Sequence, residues 1–389
     1  MHNLKTGFYG EILSDSALNY GTQLPLEDPR KIEIIKITGN SLTEKIIALS
    51  SDLKKDFSDL HCNSTDSLEI ICQKCMNFLN HRDLQFNSRE KFRNYSQWKE
   101  SIKECILNNQ KIKIIIPIFC NIGNPMKRFQ ITHITYAEKV TLHHLKKIAD
   151  EGSLIYPGGF FFEIIADANF YSTPFMNSVI ETENYINELS EYVKEQSMEN
   201  RLRVIDIMDI LKKKNDDFTA RFHYWLEITE KEEQTHLSQW EKSMLSSINL
   251  RYISEYEILK EIFSSETGNH KNMALKKAKE ALIIYRSLKN AAADISWESL
   301  LGNNSIRATI HTKDIPVLGL RIYPEYKKNS RLLPYHGIGY FYLKNNKYKM
   351  KIMTEMEAVL IPGVIKIEDK NGITQGYISE AISEKYKSE

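Results

Sequence analysis

From about Ser41 to Leu107 the apolar residues recur at intervals of three and four (Ile46, Ile47, Leu49, Leu53, then Leu68, Ile71, Cys72, Cys75, Leu79). That spacing predicts helices with one buried face. The period then changes. Lys111–Phe119 reads KIKIIIPIF, rich in β-branched residues, and predicts a buried strand. Tyr136–Glu151 returns to helical spacing, and Phe160–Asp167 (FFFEIIAD) predicts a second buried strand after the turn Tyr156-Pro157-Gly158-Gly159. Continuous apolar strands separated by a helix point to a parallel sheet covered on both faces, over roughly 108–215. Residues 217–292 read as nearly all helix, with Lys, Glu and Gln outward. From Ser305 the pattern shortens: Ser305–His311, Ile315–Tyr323, Gly337–Leu343 and Glu357–Ile361 read as short strands.

Residues 1–45 show no strong period and carry turn formers such as Glu27-Asp28-Pro29, as an irregular leader would. The predicted fold class is α/β: a Rossmann-like, mostly parallel sheet core with a helical section and a β-rich C-terminal part. Three blocks follow: an irregular and helical N-terminal region (1–107), an α/β domain (108–345) and a β-rich extension packed on it (346–389).

Composition narrows the function classes. Hydrophobic residues make up 42% and charged residues 26% of the 389, enough for a sizeable core. The 52 basic and 51 acidic side chains nearly cancel, so no basic surplus invites nucleic acid. No apolar run is long enough for a bilayer, and the first residues lack a signal-peptide pattern; the expected location is the cytoplasm, with no membrane partner. Five cysteines in a long chain argue against a disulfide framework. Cys72 and Cys75, with Cys62 and His61 upstream, have half the spacing of a zinc site but no second pair, so they read as core thiols. His143 and His144 are adjacent on a helix and point to different faces. No GxGxxG or Walker-type loop is present, which argues against a nucleotide-dependent ligase. The long helical section near 232–290 has apolar spacing suited to pairing with a second copy, or to packing on the sheet.

Four segments together carry a resemblance. The first is Ile116-Pro117-Ile118-Phe119, then Asn124-Pro125-Met126-Lys127, then Ala137-Glu138 at a helix start. The second is Tyr156-Pro157-Gly158-Gly159 leading to Ile164-Ile165-Ala166-Asp167. The third is Ile306-Arg307-Ala308-Thr309-Ile310-His311, and the fourth Leu333-Pro334-Tyr335-His336-Gly337. In this order they resemble the pyoverdine/dityrosine biosynthesis family, whose members include the isonitrile synthases. The resemblance covers about 108–345. Where the family has a lysine-serine pair, this chain has Cys120-Asn121-Ile122-Gly123, and Ile134-Thr135-Tyr136 stands where the family has Pro-Asp. A lysine expected soon after the Ile-His motif has only Gly319 and Arg321 near its place.

The resemblance implies an isonitrile synthase of secondary metabolism. Such an enzyme condenses the amine of an amino acid, an aromatic one such as tyrosine or tryptophan, with ribulose 5-phosphate. No metal or other cofactor is implied, and a separate iron/2-oxoglutarate oxygenase would act downstream. Two alternatives stay open: a divergent member performing a related one-carbon condensation or formylation on another amine, and a catalytically silent binding protein of the same fold.

The chemistry needs an anion site, a base for the amine and proton donors along the sugar. The candidate catalytic residues are Lys127, Glu138, Asp167, His311 and His336; the candidate substrate-binding residues are Asn124, Arg128, Tyr156 and Arg307. Arg307 offers a planar fork for a phosphate or carboxylate. Histidines titrate near neutrality and can shuttle protons. Arg307, Thr309 and His311 are spaced evenly in a strand and should share one face. Glu138 reads equally as a helix-start glutamate, and Asp167 as the cap of the next turn.

Overall fold

In a computed structural model of the chain, the described residues are 33–36, 40–85, 95–119, 133–167, 179–213, 215–231, 270–300, 305–310, 318–327 and 332–388. The strands are β1 (Glu33–Lys36), β2 (Ile112–Pro117), β3 (Phe160–Ala166), β4 (Leu202–Asp206), β5 (Ser305–Thr309), β6 (Leu318–Gly319), β7 (Ile338–Lys344), β8 (Lys347–Met353), β9 (Val364–Glu368) and β10 (Thr374–Ser379). The helices are α1 (Asn40–Ser50), α2 (Leu68–Leu79), α3 (Tyr95–Leu107), α4 (Tyr136–Ile155), α5 (Val179–Glu195), α6 (Ile207–Lys212), α7 (Asn215–Lys231), α8 (His270–Leu300), α9 (Glu355–Val359) and α10 (Glu380–Ser388).

The first sheet has the order β4-β3-β2-β5-β6, and every neighbouring pair in it is parallel. Ile112, Ile114 and Ile116 of β2 alternate onto one face with Phe160, Phe162 and Ile164 of β3, and all six are buried. Full burial of side chains of this size stabilises the fold by about 1.5–3 kcal/mol each. Helix α4 connects β2 to β3 and packs against this sheet. Gly152 permits the approach, because a Cβ there would overlap the Phe160 ring. The chain moves from β2 outward through β3 to β4, then returns to the other side of β2 with β5. This is the doubly wound plan expected from the apolar strands.

The second sheet, β1-β9-β10-β7-β8, is mixed. Strand β1 pairs in parallel with β9, and β10 in parallel with β7; the β9–β10 and β7–β8 pairs are antiparallel. Helix α4 also touches β7 and β10, so its first turns lie between the two sheets. There the Tyr136 ring meets that of Phe341 edge to face, 6.3 Å between centroids. Lys139 donates to Gln375 across 3.1 Å.

Three readings of the sequence change here. The leader is not wholly irregular, because β1 lies within it and completes the second sheet. A boundary at 345/346 cuts the Asn345-Asn346 turn of the β7–β8 hairpin, where both residues have positive φ (52° and 59°). Finally, the segment from Glu357 is helical: in α9 the Thr354 hydroxyl accepts from the Glu357 N–H, while the Glu357 carboxylate accepts from the Thr354 N–H. That reciprocal capping box fixes a helix start. Among the described residues no helix is long and apolar enough to cross a membrane.

Candidate active site

Strand order reverses between β2 and β5, since β2 leads away to β3 and β5 arrives on its other side. In open parallel sheets, ligands bind beyond the carboxyl ends of the strands at such a point. The sequence candidates follow from these ends. In sequence, Asn124, Lys127 and Arg128 come after β2, Asp167 after β3, and His311 after β5. Asn124, Lys127, Arg128 and His311 lie outside the described residues.

Register places the remainder. Glu163 of β3 pairs with Ile115 of β2, which pairs with Arg307 of β5, so these three side chains share one sheet face. Glu163 in turn pairs with Arg203 of β4 and accepts from its guanidinium at 2.5 Å. By strict alternation Thr309 belongs to this same face, nearer the carboxyl edge, and Asp167 directly follows β3. Arg307 is half-buried, and burial lowers its pKa from the ordinary arginine range. A guanidinium with part of its hydration removed binds an anion more strongly than one in open water.

The carboxyl end of β2 is strained. Phe119 is fully buried with φ +66°, a left-handed conformation that a bulky side chain seldom adopts. Strain of this kind persists only where surrounding packing enforces it. Here the Phe119 ring meets the Tyr335 ring at 5.9 Å, and Tyr335 lies edge to face with the half-buried His336 at 4.5 Å. The 3-10 turn Pro334–His336 also packs on α4. The packing brings the Pro-Tyr-His motif to the end of β2. Local sequence gave no sign of the strain at Phe119, because φ is set by tertiary contacts.

Glu138 stands at the start of α4 with no exposure. Its Oε2 accepts the Thr135 N–H (2.9 Å) and hydroxyl (2.6 Å), and its Oε1 accepts the Tyr185 hydroxyl (3.2 Å). The helix-start reading is therefore realised: Glu138 and Thr135 form a capping box, signalled by the spacing Thr-x-x-Glu. One residue earlier, Glu188 of α5 accepts the Ile134 N–H (2.9 Å) and bonds the His133 ring (2.5 Å). Helix α5 thus holds the start of α4 at two points.

Tyr156 stands apart from these strand ends. It precedes β3, at the amino edge of the sheet and away from the switch point. Its hydroxyl donates to the carbonyls of Cys105 and Gln110 (3.0 and 2.9 Å), tying the end of α3 to the sheet. Near the place of the family's lysine, Arg321 is held by main-chain carbonyls. Its Nε donates to the Arg82 and Gln85 carbonyls, and Nη1 to the Tyr326 carbonyl. Cys72 and Cys75 are buried in the core, and burial raises both thiol pKa values. His143 and His144 diverge as expected, to the Tyr192 hydroxyl (3.0 Å) and the Ser51 carbonyl (2.9 Å). Two surface clefts of about 750 and 620 Å3 lie elsewhere, one beside Pro157 and Arg201, the other along β4 and α5.

The comparisons with known proteins agree with this plan. No curated protein matches the chain. Among solved structures, the PvcA protein of Pseudomonas aeruginosa superposes with a TM-score of 0.56 at 15% identity, covering 79% of this chain and 99% of that one. That likeness establishes a shared fold. The family model described as pyoverdine/dityrosine biosynthesis protein matches residues 102–357, more than half of the sequence and including the switch point, and the chain therefore belongs to that family.

Proposed function

We propose that the chain is an isonitrile synthase-like enzyme that condenses the amine of an aromatic amino acid, tyrosine or tryptophan, with the ketone of ribulose 5-phosphate. What supports this reading is the family match spanning a switch point where Arg307 and Thr309 share one face of β5 and Asp167 follows the end of β3. Arg307 takes the phosphate or the amino acid carboxylate, for which its fork geometry is suited. Asp167 binds the amine or a sugar hydroxyl. His336 and His311 exchange protons near neutral pH, and Lys127, Arg128 and Asn124 complete the anion site. Glu138 acts through position, holding the start of α4. Condensation expels water; subsequent loss of phosphate and sugar carbons leaves one carbon on nitrogen. The product would pass to a separate iron/2-oxoglutarate oxygenase, and the enzyme would work in the cytoplasm.

A second reading is favoured by Cys120–Gly123 and Ile134–Tyr136, which replace the family's lysine-serine and Pro-Asp. It keeps the one-carbon chemistry but changes the amine. Incubating the purified protein with ribulose 5-phosphate and a panel of amino acids and other amines, while following phosphate release and product mass, separates the two. An amino-acid-derived isonitrile supports the first reading, and a one-carbon adduct of another amine the second. No phosphate release with any amine defeats both.

A further inference from the structure

We infer that the outer edge of the second sheet is a docking site for an extended acidic segment of a partner protein, added as a strand alongside β8. The β7–β8 hairpin is sharply two-faced. Phe341, Tyr348, Met350 and Ile352 point into the core and are buried. On the other face the register pairs Tyr340 with Lys351, Tyr342 with Lys349, and Lys344 with Lys347. Directly opposed residues of an antiparallel pair share a face, so four lysines and two tyrosines form one surface.

The charge on it is largely unanswered. Lys349 meets Glu325 at 2.8 Å, whereas Lys344, Lys347 and Lys351 are exposed and make no ion pair among the described residues. In a chain whose charges otherwise nearly cancel, this is a local basic stripe. Beside it the Tyr340 and Tyr342 rings stack at 5.7 Å, only 13° from parallel, and both are half-buried. They give the stripe a firm apolar border.

Strand β8 is also a sheet edge among the described residues, because it pairs with β7 alone. An edge offers unpaired N–H and C=O groups to any strand that aligns with it. Lys347, Lys349 and Lys351 alternate at the period of a strand. An added strand with acidic residues at every second position would place each carboxylate opposite a lysine while its backbone joins the ladder. Main-chain bonds would supply register and the lysines selectivity. Edge lysines also serve in proteins simply to repel other copies of the same edge, and the test must tell these roles apart.

The experiment uses the whole protein and a labelled synthetic peptide alternating glutamate with valine, read by fluorescence anisotropy at low and high salt. Three controls accompany it: the same composition in blocked order, an N-methylated version, and a single-stranded oligonucleotide. Expected is saturable binding of the alternating peptide, weakened at least about tenfold by K347E/K351E and comparably by N-methylation. Phosphate release by the same variant should equal wild type, which keeps this outcome separate from the catalytic reading. Equal binding of the blocked or N-methylated peptide overturns strand addition. Tighter binding of the oligonucleotide, or no peptide binding, overturns the proposal outright, and self-association of K347A/K351A then assigns the lysines to keeping copies apart.

Discussion

The Tyr185 hydroxyl donates to Oε1 of Glu138 across 3.2 Å, from one fully buried side chain to another. The bond joins helix α5 to the first turn of α4, where Thr135 donates to Oε2 of Glu138 from both its N–H and its hydroxyl. Tyr185→Phe should therefore cost about 1–2 kcal/mol, the penalty of losing one donor to a buried carboxylate. Glu138→Ala should cost more, since it leaves the Thr135 N–H and the Tyr185 hydroxyl without their acceptor. Urea titrations of both variants check the order; an equal loss for the two would show that the Tyr185 bond is the whole contribution.

Arg307 and Tyr156 make a contrasting pair. Arg307→Ala should reduce phosphate release by about 100-fold or more, as expected when a preorganised charge is removed from a transition state, with little change in melting temperature. Arg307→Lys should recover little of it, because a point charge cannot bond two oxygens as the fork does.

Tyr156→Phe should do the reverse. Removal of a hydroxyl that satisfies two main-chain carbonyls at the amino edge should lower stability by about 1–2 kcal/mol. Turnover per folded molecule should be unchanged. A fall in turnover without a fall in stability would place Tyr156 in the site.

Mild acid should destabilise the fold through His144. Its ring donates from Nδ1 to the Ser51 carbonyl, and complete burial depresses its pKa to about 4. In the unfolded chain an imidazole titrates near about 6.5. Between these values the unfolded state holds the extra proton, so the stability conferred by a neutral His144 is complete above about pH 6.5 and lost as pH falls toward 4. The full loss amounts to about 3 kcal/mol. Melting temperatures of wild type and His144→Gln across this range check it, and the variant should show the shallower slope.

Much of the first sheet was legible because its strands announce themselves. Ile112–Pro117 and Phe160–Ala166 are apolar on nearly every residue, and the 20 residues of α4 keep a helical period between them. Strand β4 was not read, for a physical reason. It is an edge strand with Arg203 exposed and Asp206 capping α6, so its five residues look like a polar connection. The helix α9 had its signal in plain view, Thr354-x-x-Glu357, overlooked beside the apolar Val359–Ile361 run. The site was legible in part. Motif order put Arg307, Asp167 and His336 on one list, and the strand order explains how the first two come from the two strands flanking β2. What local pattern could not tell was which partner each polar group already has, as with the two carbonyls that the Tyr156 hydroxyl meets.

The pairing of Glu33–Lys36 with Ile365–Glu368 has a consequence for synthesis. A ribosome releases β1 more than three hundred residues before its neighbour β9. The first sheet, whose described strands all lie between 112 and 319, can therefore assemble while the second still lacks its last strands. Contacts so distant along the chain are slow to close. On the ribosome, the nascent chain must carry an unpaired β1 until translation reaches β9, and that interval is when it most needs protection from aggregation.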